Sequence, residues 1–497
     1  MTDKTNHPFT VAHPDRFFID GQWVAPSTGD HVDLIDPTTE HVFMTVAAAA
    51  NADMDRAVTA ARAAFDTGPW PRLSAAERAG YLRRLAEALR GRTQDLAIAQ
   101  SRSMGAPLAG NLEYTGYAIA FLDMYADIGE KYEWEAEVPT MIPGSRAKLV
   151  SEPVGVVAAI APWNGPLYLI LPKVAPALMA GCTVIMKPAP STPLEALIVA
   201  ECAEAVGFPA GVINVLSADN EVSNHLVLNP GVDKVAFTGS TAAGRKIASE
   251  VGSRIGRYTL ELGGKSAALV LEDFDIAEAG RILGTTVSGN TGQFCTNLTR
   301  MFVPRAKQDA FVAAAITAMK SLKIGNPFDA ATAIGPLANR AQFDRVTGYV
   351  TQAIEQGQRL VVGGGRPADQ KVGYFFEPTL FVDVDNKSTI AREEIFGPVG
   401  CVIPYDTVDE AIAMANDSPY GLAGSVFTHD AAEAYRIARA IRTGTFSQNG
   451  LKFDFSISFG GFKQSGVGRE GGREGLKAYI ELKTVILDAE TIVAAAP

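Results

Sequence analysis

An alternation of short apolar strands and longer helical segments between residues 154 and 251 constrains the fold of this chain most. Four apolar, mostly β-branched runs are typical of buried strands: 154–160, 183–186, 212–215 and 235–237. Three segments have the apolar spacing of helices: 172–180, 193–206 and 241–251. Strands separated by helices of this length indicate βαβ units and a mostly parallel sheet. Such a sheet binds ligands beyond the carboxyl ends of its strands.

A second alternation runs from residue 266 to about residue 461 and indicates a second α/β domain. The length of 497 residues agrees with this, because one ordinary hydrophobic core cannot fill so long a chain. Residues 53–128 have helical spacing, whereas 479–486 alternate like an exposed strand that needs a partner. The sequence therefore predicts an α/β fold with two Rossmann-like open-sheet domains and a small β element.

Charge and cysteine content argue against several classes of protein. The net charge of −11 argues against nucleic acid and anionic membrane as partners, since phosphate binding needs a basic surface. No apolar run reaches the length of a membrane span, and the N-terminal residues lack the apolar core of a secretory signal. Four cysteines without a C-x-x-C pair indicate neither a disulfide framework nor structural zinc. We expect a reduced, cytoplasmic protein without a metal site.

One thiol, Cys295, lies in a loop of small residues and glycines at 288–296, directly after a helical run that begins near Asp275. Glycines let a backbone approach another group closely, so a substrate can reach this thiol. The plain interpretation is a buried loop cysteine. A nucleophilic interpretation gains weight because three other stretches supply a carboxylate, an amide donor and a nucleotide cradle.

The carboxylate is Glu261, which lies between leucines and before two glycines, where desolvation raises a pKa toward that of a useful base. Asn164 follows a predicted strand and is a neutral donor for an oxyanion, or else a turn residue. Gly239 and Ser240 join a strand to a helix, where backbone N–H groups favour phosphate or simply cap the helix. Lys187 ends another strand and either binds ribose hydroxyls or points into water.

Two competing patterns are weaker. The segment 466–471 satisfies G-x-G-x-x-G, but polar residues precede it where the dinucleotide fingerprint requires a strand, so the match is rejected. No histidine lies near Cys295 in sequence, which weakens a Cys–His hydrolase without excluding it.

Together these residues resemble the aldehyde dehydrogenase superfamily over nearly the whole chain. Seven ordered motifs carry the resemblance: Pro162-Trp163-Asn164, Lys187-Pro188, Phe237-Thr238-Gly239-Ser240, the Glu261-Leu262-Gly263-Gly264-Lys265-Ser266 run, Gly292-Gln293-Phe294-Cys295, the run 393–399 and the run 459–466. Seven motifs in order are far more specific than any one of them, and the plain interpretations above become improbable.

The resemblance implies oxidation of an aldehyde to a carboxylic acid with NAD(P), through a thiohemiacetal and then a thioester on Cys295. It places Asn164 and the Cys295 backbone N–H at the oxyanion. It makes Glu261 the base that activates the hydrolytic water, and Lys173 a support for proton movement. A free thiol has a pKa of about 8.5 and needs such help at neutral pH.

For the cofactor, the resemblance places Lys187 on the adenosine ribose, Gly239 and Ser240 on the pyrophosphate, and Glu394 on the nicotinamide ribose. Phe396 lines the nicotinamide side, and Trp163 adds backbone contacts near the phosphates. The expected domains are listed in chain order: 1–129 with 151–261 for the cofactor, 262–464 for catalysis, and 130–150 with 479–497 as a bridging hairpin. That hairpin implies a homodimer or homotetramer.

Departures from the family pattern bear on cofactor and substrate. Pro190 stands where many NAD-preferring members have a glutamate, so NAD is expected and NADP stays open. Gly165 replaces a frequent aromatic and widens the predicted tunnel, and Pro172 replaces the arginine or tryptophan of two charged-substrate classes. An uncharged apolar aldehyde is therefore favoured. The predicted substrate pocket comprises Gly165, Tyr168, Leu169, Phe294 and Thr296.

Two alternatives remain. One is an acylating relative in which coenzyme A takes the acyl group, although Glu261 in its complete motif argues against it. The other is a non-catalytic protein that kept the fold, which the intact set of Cys295, Glu261 and Asn164 makes improbable.

Overall fold

The computed structural model describes residues 7–488. The start of the chain (1–6), considered above for a leader, and residues 489–497 of the predicted bridging segment lie outside the described residues. The helices are α1 Asn51–Asp66, α2 Ala75–Arg90, α3 Thr93–Met104, α4 Leu108–Glu130, α5 Pro166–Ala180, α6 Leu194–Val206, α7 Asn220–Leu228, α8 Thr241–Ser253, α9 Ile276–Ser288, α10 Gln308–Ser321, α11 Arg340–Glu355, α12 Thr389–Arg392, α13 Val408–Asn416, α14 Ala431–Ala440 and α15 Gly472–Lys477.

The strands are β1 Phe17–Ile19, β2 Gln22–Val24, β3 His31–Asp36, β4 His41–Ala47, β5 Glu135–Val138, β6 Ser145–Pro153, β7 Val156–Ile160, β8 Thr183–Lys187, β9 Ile213–Val215, β10 Lys234–Thr238, β11 Arg257–Glu261, β12 Ala267–Val270, β13 Arg300–Pro304, β14 Arg359–Val362, β15 Thr379–Val382, β16 Val399–Tyr405, β17 Tyr420–Gly421, β18 Ala423–Phe427, β19 Thr445–Gln448, β20 Phe462–Lys463, β21 Gly466–Val467 and β22 Ile480–Asp488.

The first large sheet has the order β2-β1-β9-β8-β7-β10-β11-β21, and its five central strands are parallel. Alternate residues of these strands face opposite hydrophobic cores. Val157 and Ala236 pack against the layer of α2 to α6, whereas Val156 and Val235 pack against α1, α7 and α8. Burial on both faces explains the nearly continuous apolar runs in the sequence.

The second large sheet has the order β14-β15-β16-β13-β12-β18-β19 and is parallel except for its edge strand β14. A small third sheet joins β5, β6 and the C-terminal strand β22, with nine residues of β22 paired to β6. The α/β fold class, with two parallel-rich sheets and a small hairpin sheet, is confirmed.

Helix boundaries show where the sequence-based expectation was wrong. Helix α5 begins at Pro166, six residues before the expected start at 172, because proline is well tolerated at the first helical position. Helix α7 lies between β9 and β10, in a stretch for which the sequence analysis named no helix, and Asp219 caps it by accepting from the Val222 N–H at 2.9 Å. Helix α6, expected to be amphipathic, is buried on all sides from 194 to 200. Within the described chain, no helix is both long enough and apolar enough to cross a membrane.

Candidate active site

The strand ends of the first sheet bring four predicted residues to one edge. Ile160 of β7 pairs with Lys187 of β8, and Thr238 of β10 pairs with Glu261 of β11. Asn164 follows β7 and Gly239 follows β10, so all four lie at or just beyond the carboxyl ends of parallel strands. This edge is where open α/β sheets bind ligands.

Cys295 reaches this edge from the second sheet through a tightly wound turn. Helix α9 ends at Ser288, and the next turn holds Asn290, Thr291 and Gly292 at φ of 47°, 53° and 72°. Left-handed backbone is rare for residues with a side chain and persists only where the surroundings enforce it. Gln293 supplies part of that enforcement, because its side-chain oxygen accepts from the Ala338 N–H at 3.0 Å.

The thiol of Cys295 is half-buried, and burial raises its pKa to about 12, with smaller contributions from the nearby carboxylates of Glu394 and Glu261. On the opposite side lies Gly264, where a Cβ would come within 2.3 Å of the Cys295 carbonyl oxygen. The backbone of the thiol loop is therefore seated directly on the Gly264 backbone. A thiol in these surroundings stays protonated until a base removes its proton.

Glu261 ends β11 with only 4% of its surface exposed. Burial raises the pKa of this carboxyl well above its usual range; Glu470 raises it further, and Lys173 and Arg469 oppose the rise. Neither carboxyl oxygen has a partner of full hydrogen-bond geometry among the described residues. A carboxyl group with a raised pKa can accept and release protons near neutral pH.

The amide of Asn164 lies against the thiol loop. Its Nδ2 donates to the carbonyl oxygen of Gln293 at 3.0 Å, two residues before Cys295, and Asn290 donates to the same oxygen at 3.3 Å. One N–H of the Asn164 amide is therefore engaged, while the second remains for another acceptor.

Lys173 and Glu470 form a buried ion pair behind Glu261. The Lys173 ammonium donates to a Glu470 carboxylate oxygen at 2.5 Å and to the Thr238 hydroxyl at 2.6 Å. Sequence reasoning missed Glu470, which lies inside the rejected 466–471 pattern and is 297 positions from its partner in the chain. A lone carboxylate in a glycine-rich loop was the only signal available.

Lys187, Gly239 and Ser240 lie at the edge of the sheet where the cofactor is predicted to bind. They differ in burial and in hydrogen bonding. Lys187 is buried, and that burial lowers the pKa of its ammonium to about 8, with Asp219 opposing the shift. Ser240 is exposed and caps α8 by accepting from the Ala243 N–H at 3.2 Å. The N–H of Gly239, expected to face a phosphate, instead donates to the Glu261 carbonyl at 3.0 Å. The Gly239 N–H is thus already engaged within the protein, and phosphate binding at this helix start stays a prediction.

A pocket between the thiol loop and the 394–396 segment is lined by Gly264, Phe294, Glu394 and Phe396, among other residues. Glu394 accepts from the Gly264 N–H at 2.9 Å, and burial raises the pKa of its carboxyl to about 7. A Cβ at Gly263 would lie 2.3 Å from a Glu394 carboxylate oxygen, so this close approach requires glycine. A carboxylate acceptor beside an aromatic ring fits the ribose and ring of a nucleotide cofactor.

Phe396 and Trp163 meet at the rim of this region, edge to face with ring centroids 5.4 Å apart. Phe396 has φ of +64°, a left-handed conformation unusual for an aromatic residue. Trp163 also packs on a small cluster containing Met104 and Ala338. The two rings therefore fix the position of the loop that carries Asn164.

The predicted substrate residues lie on α5 and on the thiol loop. Gly165 precedes α5, and a Cβ there would meet Leu169 at 3.6 Å, an ordinary contact. Leu169 and Phe294 are half-buried, whereas Thr296 is buried.

Tyr168 belongs to an aromatic wall that the sequence did not reveal. Its ring packs edge to face against four others: Tyr114, Phe121, Phe453 and Phe455. Tyr114 and Phe121 come from α4, and the two phenylalanines come from a loop more than 300 residues later, so no local pattern joins them. No group of three or more potential metal ligands occurs between residues 7 and 488.

The fold and this site define an NAD(P)-dependent oxidoreductase, and the comparisons with known proteins specify it further. The sequence profile of the aldehyde dehydrogenase family matches residues 23–485, and the chain belongs to this family. The resemblance inferred from the motifs is thereby confirmed. The protein is an NAD(P)-dependent aldehyde dehydrogenase.

Two relatives illustrate the range of substrates. Geranial dehydrogenase from Castellaniella defragrans is 44% identical over 96% of this chain and 99% of its own length. The 3-succinoylsemialdehyde-pyridine dehydrogenase of a Pseudomonas species is 40% identical over 95% of this chain and 98% of its own.

Two solved structures superpose closely. An aldehyde dehydrogenase from Mycobacterium tuberculosis complexed with NAD+ has a TM-score of 0.94 and 43% identity, covering 97% of this chain and 100% of that one. A mutant of aldehyde dehydrogenase C from Pseudomonas syringae, in complex with NAD+ and octanal, has a TM-score of 0.93 and 38% identity. That superposition covers 98% of this chain and 100% of the other.

Proposed function

We propose that this enzyme oxidises an uncharged apolar aldehyde to the carboxylic acid through a thioester on Cys295 that water hydrolyses. The observation that carries this proposal is that Glu394 and the Cys295 backbone lie against the adjacent Gly263 and Gly264, which follow Glu261 closely in the chain, so that the thiol and both carboxylates share one site. A nucleophile, a base and a cofactor-binding carboxylate are the three groups that the reaction requires.

Attack on the aldehyde begins with loss of the thiol proton. Because the pKa of Glu261 is itself raised, this carboxylate is better matched to a thiol than an exposed glutamate is. A bond then forms between Sγ and the aldehyde carbon, and the carbonyl oxygen becomes an oxyanion. The free N–H of the Asn164 amide and the Cys295 backbone N–H stabilise that oxyanion.

NAD supplies the hydride acceptor when bound. Lys187 binds the adenosine ribose, Ser240 and the start of α8 bind the pyrophosphate, and Glu394 binds the nicotinamide ribose. The Trp163 backbone would add contacts near the phosphates, and the ring of Phe396 would line the nicotinamide side. Because Pro190 supplies no carboxylate beside Lys187, the repulsion that would exclude a 2′-phosphate is missing. We infer a preference for NAD with measurable use of NADP.

Hydrolysis requires a second proton transfer to the same base. Glu261 takes a proton from water as the oxygen attacks the thioester carbon, and the C–S bond breaks to release the acid. Lys173 and Glu470 lie behind Glu261 and hold opposite charges in a buried pair, so they adjust the field at the base as it gains and loses protons.

The aromatic wall around Tyr168 supports an apolar substrate. The five rings, packed edge to face, carry no formal charge themselves, so a substrate bound beside them is favoured when it has an alkyl, terpenoid or aromatic chain. The relative that acts on geranial and the neighbour solved with octanal agree with this choice.

The small third sheet supports self-association. Leu482 and Ile486 of β22 are 61% and 50% exposed, and Met141 at the tip of the β5–β6 hairpin is fully exposed. We infer a cytoplasmic homodimer or homotetramer built through this sheet, with 1–129 and 151–261 forming the cofactor domain and 262–464 the catalytic domain.

The decisive experiment measures NADH formation from octanal and geranial with NAD or NADP, in the presence and absence of coenzyme A. We expect turnover without coenzyme A, abolished by Cys295→Ser and retained by the matched control Cys202→Ser. Glu261→Gln should accumulate an acyl-enzyme that intact-mass spectrometry detects. Turnover that requires coenzyme A would identify an acylating enzyme and contradict the proposal.

A further inference from the structure

Lys265 is a buried lysine beside the thiol loop that has no role in the proposed mechanism. It follows Gly264, which lies against the Cys295 backbone, and only 2% of its surface is exposed. Its ammonium forms no hydrogen bond or ion pair with any residue between 7 and 488. Lysines are almost never buried in this way unless their charge is paired. An unpaired lysine at this position therefore needs a chemical explanation.

The other buried lysines of the described chain have a partner or a proposed ligand. Lys173 is held in a buried ion pair, and the Lys234 ammonium lies 5.0 Å from the centroid of the Tyr479 ring. Lys187 lies at the edge of the sheet where the cofactor is predicted to bind, and it is proposed to bind ribose. Within residues 7–488, Lys265 is thus the buried lysine that has neither.

Lys265 lines the pocket between the thiol loop and the 394–396 segment. The aromatic residues Phe294 and Phe396 line the same pocket, and so does Glu394. The proposed function places the nicotinamide end of the cofactor in this region. When no cofactor is bound, a small apolar molecule that enters the pocket meets Lys265.

The surroundings of Lys265 favour the neutral amine over the ammonium ion. Arg300 donates from Nε to the Lys265 carbonyl oxygen at 2.9 Å, and its guanidinium keeps its charge at neutral pH. A second buried cation beside it is therefore disfavoured. Burial lowers the pKa of the Lys265 ammonium to about 8; Cys401 opposes the shift and Arg300 adds to it. The carboxylates of Glu394 and Glu393 also oppose the shift without cancelling it.

A neutral amine is a nucleophile, and the substrate of this enzyme is an electrophile. The amine nitrogen of Lys265 can attack an aldehyde carbon, so that a C–N bond forms and the carbonyl oxygen becomes a hydroxyl group. The two amine hydrogens then leave with that oxygen as one water molecule, and a C=N double bond remains. No electron is transferred to a third molecule, so the step needs only the lysine and the aldehyde. Addition of water reverses it.

We propose that Lys265 is a second aldehyde-binding site, at which an apolar aldehyde condenses reversibly to an imine while the cofactor is absent. The adduct occupies the pocket proposed for the nicotinamide end, so aldehyde and NAD exclude each other there. This exclusion rests on the proposed function, whereas formation of the imine does not. Abundant aldehyde with scarce NAD therefore holds the enzyme in an inactive form, which NAD reverses.

The test incubates the cofactor-free full chain with octanal and cyanoborohydride, then locates modified lysines by peptide mass spectrometry. Cyanoborohydride reduces an imine to a stable secondary amine and leaves a thiohemiacetal on Cys295 unreduced. At about pH 7.5, an amine with a pKa of about 8 has roughly 200-fold more neutral form than a lysine with a pKa of about 10.4. Because access is restricted, we expect Lys265 to be alkylated at least about 10-fold faster than surface lysines. Saturating NAD should prevent this alkylation, and incubation with octanal before NAD should delay NADH formation.

Lys234 is the internal control, because burial lowers the pKa of its ammonium to about 8 as well, although it is not part of the pocket. It should stay unmodified. Lys265→Met and Lys265→Arg both lack a primary amine, so neither variant should show the delay, with thermal unfolding to verify the fold.

An unmodified Lys265 in the wild-type enzyme, or alkylation of Lys234 at the same rate, would overturn the second aldehyde site. Alkylation of Lys265 that NAD does not prevent would overturn the mutual exclusion. Absence of NADH formation by wild-type enzyme that has met NAD first would instead overturn the proposed function, and the alkylation result would still stand.

Discussion

Replacement of Gly264 by alanine tests whether catalysis requires the close contact between the thiol loop and the Gly264 backbone. The added Cβ would lie 2.3 Å from the Cys295 carbonyl oxygen, and real Cβ atoms essentially never approach another heavy atom within 3.0 Å. The loop must therefore move by at least about 0.7 Å, the difference between 3.0 and 2.3 Å. Displacement of a reacting group by 1 Å costs roughly 100-fold in rate. We expect Gly264→Ala to lower kcat by about 30- to 100-fold, equivalent to about 2 to 2.7 kcal/mol of transition-state stabilisation.

The assay is steady-state oxidation of octanal, with circular dichroism and thermal unfolding to verify the fold. The matched control is Gly348→Ala, since a Cβ there meets nothing within 4 Å and the position lies inside α11. That control should keep wild-type kcat and gain about 0.5 to 1 kcal/mol of stability from its helical position. A folded Gly264→Ala enzyme with wild-type kcat would show that the loop tolerates the shift, and the positional reasoning would be refuted.

Three further outcomes are expected. Lys173→Met leaves the Glu470 carboxylate buried without its cation and should lower the free energy of unfolding in urea by about 3 to 5 kcal/mol; a loss below 1 kcal/mol would contradict the buried pair. Because the Glu394 carboxyl has a pKa of about 7 and must be ionised to accept from ribose hydroxyls, NAD affinity should rise as pH increases through that value, and Glu394→Gln should flatten the profile in a fluorescence titration. Ser240→Ala removes the cap of α8, so it should cost about 1 kcal/mol in urea unfolding and also weaken NAD binding; normal NAD affinity in this variant would separate capping from phosphate binding.

Much of the fold follows from local patterns. Apolar runs with β-branched residues marked β7, β8, β9 and β10 within about two residues, because each of these strands is buried on both faces. The candidate residues at the strand ends, such as Asn164 and Lys187, could be placed at one edge for the same reason. Parallel strands bring their carboxyl ends together whatever the sequence between them.

Features that depend on distant contacts could not be predicted. Glu470 gains its significance from Lys173, and the Tyr168 wall unites α4 with the loop around Phe455. The start of α5 was misplaced because the helix retains Pro172 in its interior, where proline normally ends a helix. In each instance tertiary contacts between distant segments determine the structure, and no short stretch of the sequence contains both partners.

The Gly263-Gly264 dipeptide contacts both the proposed cofactor carboxylate and the thiol loop. Glu394 lies against Gly263, and the Cys295 backbone lies against Gly264. Any shift of the Glu394 carboxylate on nucleotide binding would therefore act on the backbone that carries Cys295. Thermodynamic reciprocity then fixes a quantitative relation: the factor by which NAD changes the equilibrium of a reversible thiol adduct must equal the factor by which the adduct changes NAD affinity. Electrophilic inhibitors of this enzyme should accordingly differ in potency between its free and dinucleotide-loaded forms.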